Sequence, residues 1–344
     1  MRWRVLKYAA VFVLPLFTVV SFSTSGWLTY SPLLFGFVLL PLLEFAAGKS
    51  ELNLKEVETE LVRTDTLYNV LIYLTIPTQI FFTLWFVIDA ADNAATASEL
   101  VGRTLAMGLM NGVFGVNIAH ELGHRNTMHE RLMAKVMLAS TLFLHFFIEH
   151  NRGHHRNVCT PLDPASARRN ESLYAFWMRT VCYSFLSAWS IVKKERERRN
   201  QNVWSLSNEM IQYLLLQILI VLLVAFTCSS VVLVCFLLAA LIGWLLLETV
   251  NYIEHYGLER KKLNEHRYED VRPLHSWNSD YIIGRVVLFE LTRHSDHHYN
   301  PEKPYQTLHS LEHSSQLPAG YPAMMLLALL PQAWFHVMNK RLPS

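Results

Sequence analysis

The chain has 344 residues, of which 52% are hydrophobic and only 17% charged, against roughly 25% charged in an average soluble domain. The charge is missing from whole blocks (Tyr8 to Phe22, Val70 to Ala90, Ile211 to Val250) that approach or exceed the ~20 apolar residues of a membrane-crossing helix, which argues against a soluble protein with buried helices. A formal net charge of +2 is too small to indicate a nucleic-acid partner.

The N-terminus reads Met-Arg-Trp-Arg-Val-Leu-Lys before an apolar run. It looks like a signal peptide but has no convincing small-residue cleavage site, so a retained first transmembrane helix is expected. Six spans follow from the apolar blocks: 8–24, 28–47, 68–90, 97–119, 210–227 and 230–250. Loop charge orients them. Arg2, Arg4 and Lys7 precede the first span. Lys49, Lys55 and Arg63 lie between the second and third. The segment Arg125 to Asn208 is rich in arginine, and Arg260, Lys261, Lys262, Arg272 and Arg285 follow the last span. The loops near Ser23 to Gly26, Ala90 to Glu99 and Cys228 to Ser230 carry no Lys or Arg. Every basic segment thus falls on one side, which the positive-inside rule makes cytoplasmic, with both termini there.

The expected fold is all-α: a polytopic bundle of six transmembrane helices, with parts 120–208 and 252–344 forming one helical cytoplasmic cap in a single domain, 1–344. The apolar stretch Leu132 to Ile148 holds Lys135 and His145. Making it a span would break the charge parity, so a helix on the membrane surface or docked on the bundle is expected. Four cysteines (Cys159, Cys182, Cys228, Cys235) show no CxxC spacing and read as small fillers, not as a disulfide or zinc framework.

Sixteen histidines are many for this length, and they cluster. His120-Glu-Leu-Gly-His124 closes the fourth span, its spacing of four placing both rings on one helical face. Glu149-His150-Asn-Arg-Gly-His154-His155 repeats that spacing with an extra histidine. Asn251-Tyr-Ile-Glu254-His255 closes the sixth span. Arg293-His294-Ser-Asp296-His297-His298 has spacings of three and four. Nine imidazoles meeting at one cytoplasmic edge call for metal. Neutral imidazole suits iron, zinc, copper and nickel, and nine donors exceed the coordination of a single ion, so two ions are expected. His129, His145, His266, His309, His313 and His336 lack such company and read as ordinary hydrogen-bonded residues. HELGH also fits the HExxH pattern of zinc proteases, with Glu121 as base, but that leaves the other clusters unexplained. A metal transporter would place ionisable groups in mid-span, and here they gather at one edge.

The set His120…His124, Glu149-His150…His154-His155 and His294…His297-His298 resembles the three histidine boxes of membrane di-iron desaturases and hydroxylases. Asn251-Tyr-Ile-Glu-His-Tyr-Gly-Leu258 and Leu291-Thr-Arg-His-Ser-Asp-His-His298 narrow the resemblance to the alkane 1-monooxygenase family. His145 to His155, Thr160-Pro-Leu-Asp-Pro164, His275-Ser-Trp-Asn278 and Leu317-Pro-Ala-Gly-Tyr-Pro322 match that family too. The departures are Thr292 and Glu290 beside the third box, and Leu274. The resemblance implies terminal hydroxylation of medium-chain n-alkanes, using O2 and two electrons from reduced rubredoxin with its reductase, at two non-haem iron ions in a bacterial-type inner membrane. It implies the ligands His120, His124, His150, His154, His155, His255, His294, His297 and His298. Glu254, Asp296, Glu121 and Glu149 stand beside ligands and can orient their imidazoles, with direct ligation by Glu254 or Asp296 left open. Another apolar substrate, such as a methylated aromatic or a fatty acyl chain, is the alternative.

An unactivated methyl C–H offers no acid, base or nucleophile a hold, so the cofactor must carry that chemistry. Substrate drawn from the bilayer would reach it along an apolar channel, with Phe35, Phe37, Trp85, Met110 and Trp244 as candidate walls. The stretch Lys193 to Arg199, with five basic and two acidic residues, is a candidate docking surface for an acidic electron carrier, as are Arg125, Arg152, Arg156, Arg168 and Arg169.

Overall fold

A computed structural model describes residues 2–91, 95–265 and 267–343. It is mostly helical. In chain order come α1 (Arg4–Ser23) and α2 (Gly26–Ala47), α3 (Glu56–Thr64) and α4 (Thr66–Asp89). The continuous helix α5 (97–123) follows, then α6 (Met128–Ser140) and α7 (146–157). After α8 (Leu173–Arg198) come α9 (Glu209–Thr227) and α10 (Ser230–His255). The last part holds α11 (Ile282–Val287), α12 (His294–Tyr299), α13 (Tyr321–Ala328) and α14 (Pro331–Met338). Two small strand pairs add to the all-α expectation. β1 (Lys262–Asn264) runs antiparallel to β2 (Arg267–Tyr268), and β3 (Trp277–Asn278) runs parallel to β4 (Ser315–Gln316).

Among the described residues, five helices are long and apolar enough to cross a bilayer: α1, α2, α4, α9 and α10. They correspond to five of the six expected spans. The remaining one, expected at 97–119, is the inner part of α5. At ~1.5 Å per residue α5 is about 40 Å long, but it carries Arg103, Asn111 and Asn117, too polar a set for a lipid-facing helix. It packs instead against α1, α2, α4 and α10, and Arg103, Asn111 and Asn117 each bond to a neighbouring segment. Arg103 makes two 3.1 Å bonds to the Asp89 carboxylate and one of 3.0 Å to the Thr24 carbonyl. Gln79 Nε2 donates to Asn111 Oδ1 at 2.8 Å. Buried polar groups are tolerated when paired in this way.

The stretch Leu132 to Ile148 is not one helix. It contains the end of α6, a turn with Leu142 at φ 55°, and the start of α7. Its His145 is buried among Phe143, Phe185 and Trp244. His266 and the tip of the 90–99 loop (92–94), like Ser344, lie outside the described residues.

Two glycines let α5 and α10 meet at backbone distance, as small residues do between membrane helices. A Cβ on Gly108 would stand 2.4 Å from Ile242 Cγ2, and one on Gly243 would stand 2.6 Å from Asn111 Cβ and 3.3 Å from the backbone of Gly112. Because α5 and α10 end in candidate ligands, this seam sets the site. Gly243→Val must push them apart, at a cost above the ~1–3 kcal/mol of ordinary overpacking. The expected result is a lower melting temperature in detergent and lost metal retention. An unchanged melting temperature would show that the seam does not set the spacing.

Candidate metal centre

Four elements deliver nine histidines to one end of the bundle. The end of α5 carries His120 and, at its C-cap, His124, one turn apart. α7 contributes His150, His154 and His155, α10 ends on His255, and α12 contributes His294, His297 and His298. They form two groups. In one, the ligand atoms of His120, His124, His150, His155 and His297 all lie within 4.8 Å of one another. In the other, those of His154, His255, His294 and His298 do. The stacked rings of His155 and His298, 4.3 Å apart, join the groups.

This division departs from simple helical spacing, which pairs His150 with His154. Residues 149–154 form a π-helical turn, whose wider winding brings i and i+5 onto one face. His150 and His155 therefore meet, Nε2 to Nε2 at 2.9 Å, while His154 turns to the second group. α12 is regular, so His294 and His298 face the second group and His297 the first.

The nitrogens approach as ligands do. His120 and His297 Nε2 are 2.9 Å apart, His124 and His150 3.0 Å, His155 and His297 3.2 Å, and His255 and His294 3.2 Å. An imidazole–metal bond of about 2.1 Å puts neighbours at right angles ~3.0 Å apart. Hydrogen bonding is the competing explanation, and it fails on counting. His150 Nε2 touches both His124 and His155, and His297 Nε2 touches both His120 and His155. One ring nitrogen offers a single proton or a single lone pair, so it cannot serve two such partners. The buried Nε2 atoms of His154 and His298 have no hydrogen-bond partner. Orphaned donors of this kind fit a cation among them.

Burial, and then the neighbouring histidines, hold His120, His150, His155, His294, His297 and His298 well below the ordinary imidazole value. Burial followed by His154 lowers His124 to about 3. The rings are thus neutral and ready to bind metal at physiological pH.

Further groups hold the rings from behind. Asp163 Oδ2 accepts the Nδ1–H of His154 at 2.9 Å, which leaves Nε2 for metal. Burial raises the Asp163 carboxyl, but His154, Ser166 and the Ala165 N–H outweigh that and bring it below its usual range. His255 Nδ1 donates to the His275 carbonyl at 3.2 Å, and Cys159 Sγ lies 3.9 Å from the same nitrogen. Neither Asp163 nor Cys159 is singled out by sequence pattern. Asp163 lies in the Thr160–Pro164 stretch of the family resemblance, and that was the available signal.

The four candidate acids differ in placement. Glu254 Oε2 stands 3.2 Å from His294 Nε2. Glu149 is buried beside Ser187, 3.3 Å away. Asp296 does not orient a ligand. Its carboxylate accepts from Lys303 at 2.8 and 2.9 Å and from the His309 N–H at 2.8 Å, because its place on α12 points away from both groups. Glu121 Oε1 accepts from Arg125 at 2.7 and 3.1 Å and from the Tyr305 N–H at 3.2 Å, so this carboxylate is ion-paired and ties α5 to the Tyr305 segment. Glu290, the departure beside the third box, ties that box to α1 through Arg285, Lys7 and Tyr8. Burial alone would raise its carboxyl, and those cations lower it to about 2.

A family model described as fatty acid desaturase matches residues 97–328, so fold and histidine groups define a membrane protein of the desaturase and hydroxylase class, whose donor set fits non-haem iron. The chain is 38% identical to an alkane 1-monooxygenase of Pseudomonas putida, over 93% of this chain and 80% of that one. It is 37% identical to alkane 1-monooxygenase 1 of Alcanivorax borkumensis, over 91% and 78%. A xylene/toluene monooxygenase hydroxylase component of Pseudomonas putida is 27% identical over 78% and 72%. The chain belongs to the alkane 1-monooxygenase family.

Asp163→Ala removes the group that fixes the His154 tautomer. Metal affinity should fall about 10–100-fold with the fold kept, as read by chelator competition and circular dichroism. Unchanged affinity would refute that role.

The metal-free protein should also be acid-sensitive. Below the ordinary value of 6.5, the unfolded chain takes up protons that the buried rings refuse. Stability therefore falls as pH drops from 6.5 towards 3, by up to about 1.4 kcal/mol per pH unit for each such ring. Denaturation midpoints of the metal-free form that stay flat from pH 7 to 4.5 would contradict this.

Proposed function

We propose that this protein hydroxylates the terminal carbon of medium-chain n-alkanes to primary alcohols. Two non-haem iron ions held by the nine histidines, O2, and two electrons from reduced rubredoxin serve the reaction. Bound iron supplies the activation of O2 and the oxidising strength that an unactivated C–H bond demands. The five-plus-four division of the histidines supports two ions.

One observation carries the substrate reading: an apolar slot is walled in part by residues of the segments that bear the histidines. Leu14, Phe35, Phe37, Leu109 and Leu247 are among its walls. Phe35 and Phe37 were candidates from sequence. Met110, Trp85 and Trp244 are not among the slot's walls, and they pack elsewhere. Asn117, Val250 and Leu291 are also walls. Each lies three or four residues before a site residue, His120, Glu254 and His294 respectively; for Asn117 on α5 and Val250 on α10 that is about one helical turn. The slot is narrow, about 80 Å³, so a slim unbranched chain enters with less rearrangement than an aromatic ring. These residues bind the chain by apolar contact and keep water from the reacting carbon.

A broad cleft of about 1230 Å³ on the cap supports docking of an acidic carrier. Arg156, Arg168, Lys194 and Arg198 line it and, among the described residues, have no carboxylate within ion-pair distance. Charge of this kind steers an oppositely charged partner. Arg196, from the same stretch, is occupied by the Asn202 and Ser207 carbonyls. The same reading makes α5 the sixth span and sets both termini on the cytoplasmic side of the inner membrane.

Purified protein should carry two irons per chain. In proteoliposomes with rubredoxin and its reductase it should convert n-alkanes of graded length to 1-alkanols. His154→Ala and His297→Ala should reduce turnover to background while still inserting. His336→Ala, which removes an exposed ring bonded to Lys340, should stay within ~0.5 kcal/mol of wild type. A single metal, mainly zinc, or products from xylene but none from alkanes would overturn the reading.

A further inference from the structure

Tyr321 opens α13 with no exposed surface, and it belongs to two neighbourhoods at once. It is among the residues that line the apolar slot. Its hydroxyl donates to Glu254 Oε1 at 2.7 Å. The other oxygen of that carboxylate, Oε2, lies 3.2 Å from His294 Nε2, which itself lies 3.2 Å from His255 Nε2. Oε2 therefore stands at the same spacing from the second histidine group as its imidazoles stand from one another. That group has four imidazoles where the first has five. A carboxylate can rotate to present either oxygen. The bond from Tyr321 ties up Oε1, so Oε2 is the one left facing the histidines.

We propose that Tyr321 is a positioning residue that couples the slot to the second metal position. Its hydroxyl fixes Glu254 as the fifth donor there, and its ring is the wall against which the end of the substrate is registered. This rests on the two-metal, alkane-hydroxylating reading above. Glu254 gains a defined role as ligand, and Tyr321 acts through it. Replacing the hydroxyl by hydrogen leaves the ring and its packing, so Tyr321→Phe isolates the coupling from the fold.

The test uses full-length protein in detergent, loaded with iron, and follows iron release to a chelator. In wild type both irons should leave slowly. In Tyr321→Phe one iron should leave about 10–100-fold faster, the other at the wild-type rate, with one of two Mössbauer doublets altered. Glu254→Gln should reproduce the fast phase. The double variant should add nothing further, because the two side chains act as one unit. With a medium-chain n-alkane, Tyr321→Phe should raise the share of subterminal alcohol. Wild-type release rates and spectrum in Tyr321→Phe, additive losses in the double variant, or a wild type holding one iron would each overturn the proposal. Failure of the alkane reading looks different: wild type would bind two irons and yield no alkanol, while the chelator and Mössbauer results still report on Tyr321 and Glu254.

Discussion

Nine dehydrated imidazoles turn their ring nitrogens toward one another, and the rest of the molecule is arranged to keep them there. Without a cation their lone pairs oppose, and burial has removed the water that would relieve them. The elements that bear them are therefore tied from outside. Arg125 and the Tyr305 N–H hold Glu121 beside His120. Arg152 anchors α7 to Glu195 and Glu209. Arg293 is pinned to Asp280 and to the Leu308 and Leu52 carbonyls, and Lys303 holds Asp296 on the far side of α12. A buried polar network of this kind rigidifies only when its members are satisfied, and these links account for the charged residues that a transmembrane bundle would otherwise shed.

The same demand explains α5. A helix that ends in two histidines and a glutamate, and lies at the centre of the bundle, cannot be apolar throughout. Its Arg103 and Asn111 are matched by Asp89 on α4, the Thr24 carbonyl after α1 and Gln79 on α4. Polar pairs of this sort also fix the rotation of α5 about its own axis. Because His120 and His124 are on that helix, the axial rotation decides which way they face.

The apolar blocks made five helices legible from sequence, since hydropathy reads lipid exposure directly. α5 was legible as a helix, but its hydropathy is lowered by partners that sequence does not pair. The histidine clusters were legible as a set, and the structure does bring all nine together. Their division between two groups was not, because the reading at a spacing of four assumes regular winding, and residues 149–154 wind more widely. Asp163 was hidden for another reason: it reaches His154 from an irregular loop, where no periodicity predicts which way a side chain points. Asp296 shows the converse, since being next to a histidine in sequence says nothing about facing the same way on a short helix.

An alkane has no polar handle, so its register beneath the metals cannot come from hydrogen bonds. Burial contributes about 0.8 kcal/mol per CH₂, and sliding the chain by one carbon along a uniform apolar slot leaves that total almost unchanged. Affinity alone therefore cannot distinguish the terminal methyl from its neighbours. The distinction has to come from where the slot stops. Its walls include Asn117, Val250, Leu291 and Tyr321, residues carried by or adjoining the segments that bear His120, Glu254 and His294. A displacement of α5 or α10 that moved one of their histidines would move these slot walls with it, so on the proposed reading metal position and chain register depend on one seam.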